Sequence, residues 1–240
     1  MSEAIHFGDI SVELIRKVTK HVHLSVHPPT GRVTLVAPKT TRFEVARAYA
    51  ISRLGWIRRQ QETLRSQPRE APRRFIERES HYLWGRRHLL TIVYRDAKPC
   101  VSLDHKRITL TVRPGADSSK RAAVIHEWHK SLLHAAVPAL IHAWERRLNV
   151  KVGRYFLQRM KTRWGSCNHR AGHIRLNTEL VKKPKDLLEY VIVHEMAHLI
   201  APTHSDRFIE ILQRHYPTWR EARAELNELP LTAETWKGSR

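Results

Sequence analysis

The segment HEMAHLIAPTH, residues 194–204, gathers three imidazoles and a carboxylate at spacings suited to holding a metal ion and activating a water. His194 and His198 are four apart, so on a helix they share one face and can ligate one ion. Glu195 adjoins the first of them and is a candidate general base on a metal-activated water. His204 lies six residues beyond His198, past Pro202, where a helix is expected to have ended. A chain turning back there brings a third imidazole to the same ion. Three protein ligands and one open position make the arrangement of a catalytic zinc site, so Zn2+ is the expected cofactor. The alternative is a histidine-rich helix whose imidazoles are satisfied within the protein, in a chain carrying 17 His. The run LLEYVIV, Leu187 to Val193, favours the metal: it makes the helix a buried one, where ionisable groups need partners.

The elements that must position these residues are legible from periodicity and breakers. Pro184 opens the motif helix as a first-turn proline. Before it, residues 151–160 read as a strand, RWGSC (Arg163 to Cys167) as a loop and HIRLN (His173 to Asn177) as another strand. After it, SDRFIEILQRH (Ser205 to His215) is an amphipathic helix, and Thr218 with Glu221 forms a capping-box signature for a last one. Residues 119–148 form a long helical pattern. Val124, Trp128, Leu132, Ala136, Leu140 and Trp144 recur every four residues, and Pro138 marks a kink point. This stretch contains HEWH (His126 to His129), whose two His are three apart; it is read as helix surface.

Further upstream, HVHLSVH (His21 to His27) alternates, Pro-Pro-Thr-Gly turns the chain, and RVTLVAP (Arg32 to Pro38) resumes it. His21, His23 and His27 share one strand face, a polar exposed face in preference to a second metal site. Residues 42–66 read as one helix with Phe43, Ala46, Ala50, Leu54, Ile57 and Leu64 as its stripe, and residues 66–74 as a loop. Residues 81–113 return to strand character up to a break at Pro114–Ser119. No internal repeat shows. The fold class expected is α+β: an N-terminal β-rich region with one helix over 1–115, a core over 116–230 with a small sheet and the HExxH helix, and a tail over 231–240.

At 240 residues, 41% apolar, the chain can bury a substantial core. No apolar run is long enough to span a bilayer, no signal-peptide pattern opens the chain, and two cysteines make no disulfide framework. The expectation is a cytoplasmic protein without a membrane partner. A net charge of +20 attracts polyanions and steers anionic substrates. Basic residues are densest from Arg53 to Arg87, either a patch for nucleotide or nucleic acid or a solvated face.

The spacing of His194, His198 and His204 equals that of metzincins, but Ala201 stands at their glycine position and no methionine follows His204. The longer runs MKTRWGSCNHRAGHIRLNTEL (Met160 to Leu180) and EYVIVHEMAHLIAPTHSDRF (Glu189 to Phe208) instead resemble the YgjP-like metallopeptidase-domain family, related to SprT-like and WLM zinc peptidases. The resemblance extends to the N-terminal strands, the helix bearing Trp56 and the YLWGRRHLL segment. It implies a gluzincin-like α+β core with zinc on His194, His198 and His204, and Glu195 as the catalytic residue. Arg163, Trp164, Ser166 and Asn177 are candidate substrate contacts, with Arg163 able to stabilise an oxyanion. The competing reading makes Trp164 a core anchor and Gly165 a turn residue. Cys167 as a fourth ligand would close the site and make it structural.

Three functions follow. The first is a zinc-dependent peptide hydrolase whose small sheet, at HIRLN, binds an extended substrate by strand addition. The second is a metal-dependent nucleotide pyrophosphohydrolase, disfavoured by the missing phosphate-cradling glycine loop. The third is a nucleic-acid-binding module with a structural zinc.

Overall fold

The computed structural model describes residues 3–27, 31–66, 69–70, 73–160, 162–229 and 231–232. Contacts divide the chain into two compact units, Met1–Pro72 with Pro230–Arg240, and Arg73–Leu229.

In the first unit, β1 (Glu3–Phe7), β2 (Ile10–Lys17), β3 (His23–His27) and β4 (Arg32–Pro38) form a sheet ordered β1-β2-β4-β3. Its central pair is parallel and its outer pairs are antiparallel. Alternation along β2 sends Ile10, Val12 and Leu14 into a core shared with Ala46, Ala50 and Ile57 of two helices, α1 (Phe43–Ser52) and α2 (Leu54–Ser66). The single helix expected over 42–66 is thus broken. Arg53 leaves helical geometry at φ −108°, ψ 3°, its N–H returning to the Ala50 carbonyl. Arginine is a good helix former, so nothing local announces the break. The Leu64 side chain lies outside the described residues. His21 and His23 are exposed, and His27 Nε2 meets Thr34 Oγ1 at 2.6 Å. A short strand, β5 (Arg69–Glu70), pairs in parallel with Leu231–Thr232.

The second unit begins with β6 (Ser80–Leu83), β7 (Arg86–Tyr94), β8 (Cys100–Leu103) and β9 (Arg107–Val112). Their order, β6-β7-β9-β8, again has a parallel centre and antiparallel flanks. The same strand topology therefore occurs twice in a chain whose sequence shows no repeat. The helix α3 (Ser118–Leu148) follows, capped by Asp117, whose carboxylate accepts from the Lys120 N–H at 2.7 Å. Asn149 ends it in the left-handed conformation. Its buried line is Ile125, His129, Leu133, Val137, Ile141, Trp144 and Leu148, one residue along from most of the predicted stripe. Both lines are largely apolar, and packing against the motif helix and against β8 and β9 selects the second. This corrects the reading of HEWH: Glu127 is exposed, but His129 is buried.

The third sheet holds β10 (Arg154–Gln158), β11 (Gly165–Asn168) and β12 (His173–Asn177) in the order β10-β12-β11. Two expectations change here. Gly165, Ser166 and Cys167 are strand residues rather than loop, because they pair antiparallel with Leu176, Arg175 and Ile174. HIRLN is the central strand, hydrogen-bonded on both sides, so it has no edge to offer a peptide; β11 has. A 3-10 turn, Thr178–Lys182, leads into α4 (Lys185–Ala197), the motif helix, which is buried on nearly every side. Leu188, Val191, Ile192 and Met196 fill the core between α3, the third sheet, α5 (Asp206–His215) and α6 (Trp219–Glu228). Thr218 precedes α6, yet its side chain makes no cap bond; at ψ 19° it lacks the extended backbone a capping residue needs. The turn between β6 and β7 docks on the entry to α4. Trp84 and Gly85 donate their N–H groups to the Val181 and Lys182 carbonyls, at 2.8 and 3.2 Å. A Cβ on Gly85 would stand 2.9 Å from Pro184 Cγ, so the turn can seat only without a side chain there. Among the described residues no helix is long and apolar enough to cross a membrane.

Candidate metal centre

α4 ends one residue before His198, which keeps helical angles at φ −66°, ψ −16° and so stays on the face of His194. The chain then tightens: Leu199 and Ile200 donate to the Met196 and Ala197 carbonyls. None of residues 198–205 adopts a positive φ, so Ala201 is accommodated without the left-handed turn a glycine would serve. The segment swings His204 back over the helix end. The ligand atoms of His194, His198 and His204 all lie within 4.8 Å of one another, and His194 Nε2 and His204 Nε2 are 3.2 Å apart. Two imidazoles sharing one tetrahedral zinc have nitrogens about 3.3 Å apart, given Zn–N bonds of about 2.0–2.1 Å. His198 donates Nδ1–H to the Ala201 carbonyl at 3.2 Å in the tautomer that leaves Nε2 free as a donor to a metal.

Phe208, from α5, organises the cluster. Its ring stacks on His198 at 4.6 Å and meets His194 and His204 edge-on at 5.0 and 4.8 Å. Tyr190, one turn before His194, contacts that imidazole edge-on at 5.9 Å. Burial lowers His194 to about 3, helped by the charges of His198, His204 and Arg223, and it lowers His198 too. His194 Nδ1 is buried without a hydrogen-bond partner among the described residues. Neutral imidazoles are the form a metal requires, so the donor set fits an ion such as zinc.

Glu195 is 6% exposed and faces β11. Burial pushes its carboxyl up to about 8, against the opposing pull of Arg163. Its proximity to the strand depends on Gly165, where a Cβ would lie 2.5 Å from Glu195 Oε1. The three His, Glu195, Arg163, Trp164 and Ser166 all line one cavity of about 1000 Å³. Trp164 serves the core as well, packing on it under Lys183, whose ammonium lies 5.4 Å from the indole. Cys167 lines the cavity without joining the His cluster; burial and Glu195 raise its thiol to about 11.

Asn177 is placed apart from these. It is fully buried, accepts from the Met160 and Glu179 N–H groups, and donates to the Met160 and Arg163 carbonyls. Every one of those bonds serves the chain, and they fix the segment that leads into β11. Arg223 of α6, unmarked in the sequence, lines the cavity. Phe208 had one trace there, as the last residue of the family-like run.

Two solved structures resemble part of the chain: the metallopeptidase zymogens abylysin of Pyrococcus abyssi and jannalysin of Methanocaldococcus jannaschii. Each is 21% identical and covers 38% of this chain, with 90% and 92% of the zymogens covered and TM-scores of 0.35 and 0.33. Comparison with curated proteins gives no match. The family profile described as YgjP-like, metallopeptidase domain, matches residues 20–229. That match runs through both units, and the chain belongs to the YgjP-like metallopeptidase-domain family, whose name implies a metal and a peptide or protein substrate.

Proposed function

We propose that the protein is a zinc-dependent peptidase with Glu195 as its general base. The observation that carries this reading is the convergence of His194, His198 and His204 beside a buried carboxylate, in the lining of a cavity edged by β11. His194, His198 and His204 would hold the ion, and an all-imidazole donor set suits zinc. When bound, zinc supplies Lewis acidity, polarising a substrate carbonyl and making water more acidic. Glu195 takes the proton of the attacking water and delivers it to the departing amine. Gly165 lets that carboxylate reach the strand wall, and Trp164 and Phe208 supply apolar lining beside it. Arg163, close enough to act on Glu195, is suited to stabilise charge building on the carbonyl oxygen. The open side of β11 gives an extended peptide backbone a strand to pair with.

The test is Glu195→Gln, with zinc content, melting temperature and peptide turnover measured on one preparation. Retained zinc, an intact fold and a fall in turnover of at least about 10²-fold are expected. A stable, zinc-loaded variant with wild-type turnover overturns the mechanism. His194→Ala tests the ligand set separately: stoichiometric zinc kept by that variant would remove His194 from it.

A further inference from the structure

We infer that Arg223 recognises a carboxylate on the peptide substrate, either an Asp or Glu side chain or the free C-terminus. This rests on the peptidase reading and names the substrate class it favours. Helix α6 packs on α4, so Arg223 lines the same cavity as His194 and Glu195. Its charge also acts on His194 and on Tyr190.

The guanidinium is uncommitted. Arg220, three residues earlier, donates to Gln213 Oε1 at 2.6 Å and lies over the Trp219 ring at 4.5 Å. Arg223 is exposed, and among the described residues no carboxylate pairs with it. The cavity does not neutralise it either. Glu195 is the one acidic residue in its lining, against Arg163, Arg223 and four His. A wall with this balance raises the local concentration of anionic ligands, and the +20 chain adds to the attraction. Trp219 and Leu226 flank Arg223 on the same helix and also line the cavity. They form an apolar ledge beside the fork, suited to the methylenes that carry a carboxylate. Guanidinium and carboxylate pair through two parallel hydrogen bonds, which gives the contact direction as well as charge.

The experiment uses the full zinc-loaded chain and three sets of internally quenched peptides. One carries a single Glu scanned along an amidated neutral sequence. The second is neutral with a free C-terminal carboxylate. The third is neutral and amidated. One of the first two sets should exceed the third in kcat/KM by about tenfold, mostly through KM, as expected for an exposed charge-assisted contact. Arg223→Gln should bring that ratio towards one, and Arg223→Lys should restore part of it. The set that responds identifies the source of the carboxylate. The same peptides are offered to Glu195→Gln protein, and binding is read by fluorescence anisotropy. Binding that prefers the carboxylate and depends on Arg223, without cleavage by the wild type, sinks the peptidase reading and keeps this one. Cleavage at equal rates across the sets, or a preference unmoved by Arg223→Gln, overturns this inference alone. Neither cleavage nor binding, or tighter binding of a nucleoside triphosphate than of any peptide, overturns it too.

Discussion

Glu195 reaches the cavity wall only because residue 165 has no side chain. A Cβ there would stand 2.5 Å from one carboxylate oxygen and 2.7 Å from Cγ, far inside van der Waals contact. Gly165→Ala therefore has to displace either the carboxylate or β11. The three His are untouched by this, so zinc content should hold while turnover falls between about 10- and 100-fold, the scale of an ångström's misplacement. Unchanged turnover in a zinc-loaded Gly165→Ala protein would show that Glu195 has room to act from elsewhere. At this scale the sequence was partly legible. The spacing of His194, His198 and His204 announces their convergence, since helical periodicity carries the first two and Pro202 marks the turn before the third. Gly165 could be read only as a turn residue, because the atom it makes room for lies thirty positions away. Arg223 gave no signal: an arginine on an amphipathic helix looks the same whether it faces solvent or a cavity.

Elements decide how firmly that wall stands. Asn177, at the end of β12, binds Met160, Arg163 and Glu179 through four hydrogen bonds of 2.7–3.3 Å. Asn177→Ala strips partners from one buried and three partly buried backbone groups and should cost about 2–4 kcal/mol, seen as a melting temperature lower by several degrees. Asn177→Asp should also destabilise, since a carboxylate cannot donate to the Met160 and Arg163 carbonyls. A raised KM with an unchanged melting temperature would instead make Asn177 a substrate contact. The long elements were readable, α3 because its periodicity accumulates over many turns and α4 because a proline and an unbroken apolar run mark it. β11 was not, being four residues of Gly, Ser, Cys and Asn whose strand character comes from pairing with β12. Nor could HIRLN be placed at the centre of its sheet, since strand order is a property of partners that one segment does not encode.

Acid should weaken the second unit through a histidine away from the candidate active site. Burial lowers His129 to about 3, and the nearby charges of Lys182, His81 and His126 act in the same direction, opposed by Glu179. The unfolded chain, with the ordinary value of 6.5, takes up this proton first on acidification. The stabilisation is therefore complete above about pH 6.5 and is lost progressively as pH falls towards 3. His129→Gln should flatten the acid limb of a melting-temperature profile between pH 7 and 4; parallel wild-type and variant curves would assign that limb to other groups. The two four-stranded sheets share a strand order but not a fate. In the second, Leu83 is buried in the same cluster as Leu187, Val191 and Phe208, and the Trp84–Gly85 turn is bonded to the approach to α4. For protein engineering this sets what can be moved. Cutting the gene at the Pro114–Ser119 break would leave a fragment with a hole in the cluster that supports α4. A portable catalytic module, or a chimera exchanging this half with a relative's, has to start near Arg73 and carry that sheet along.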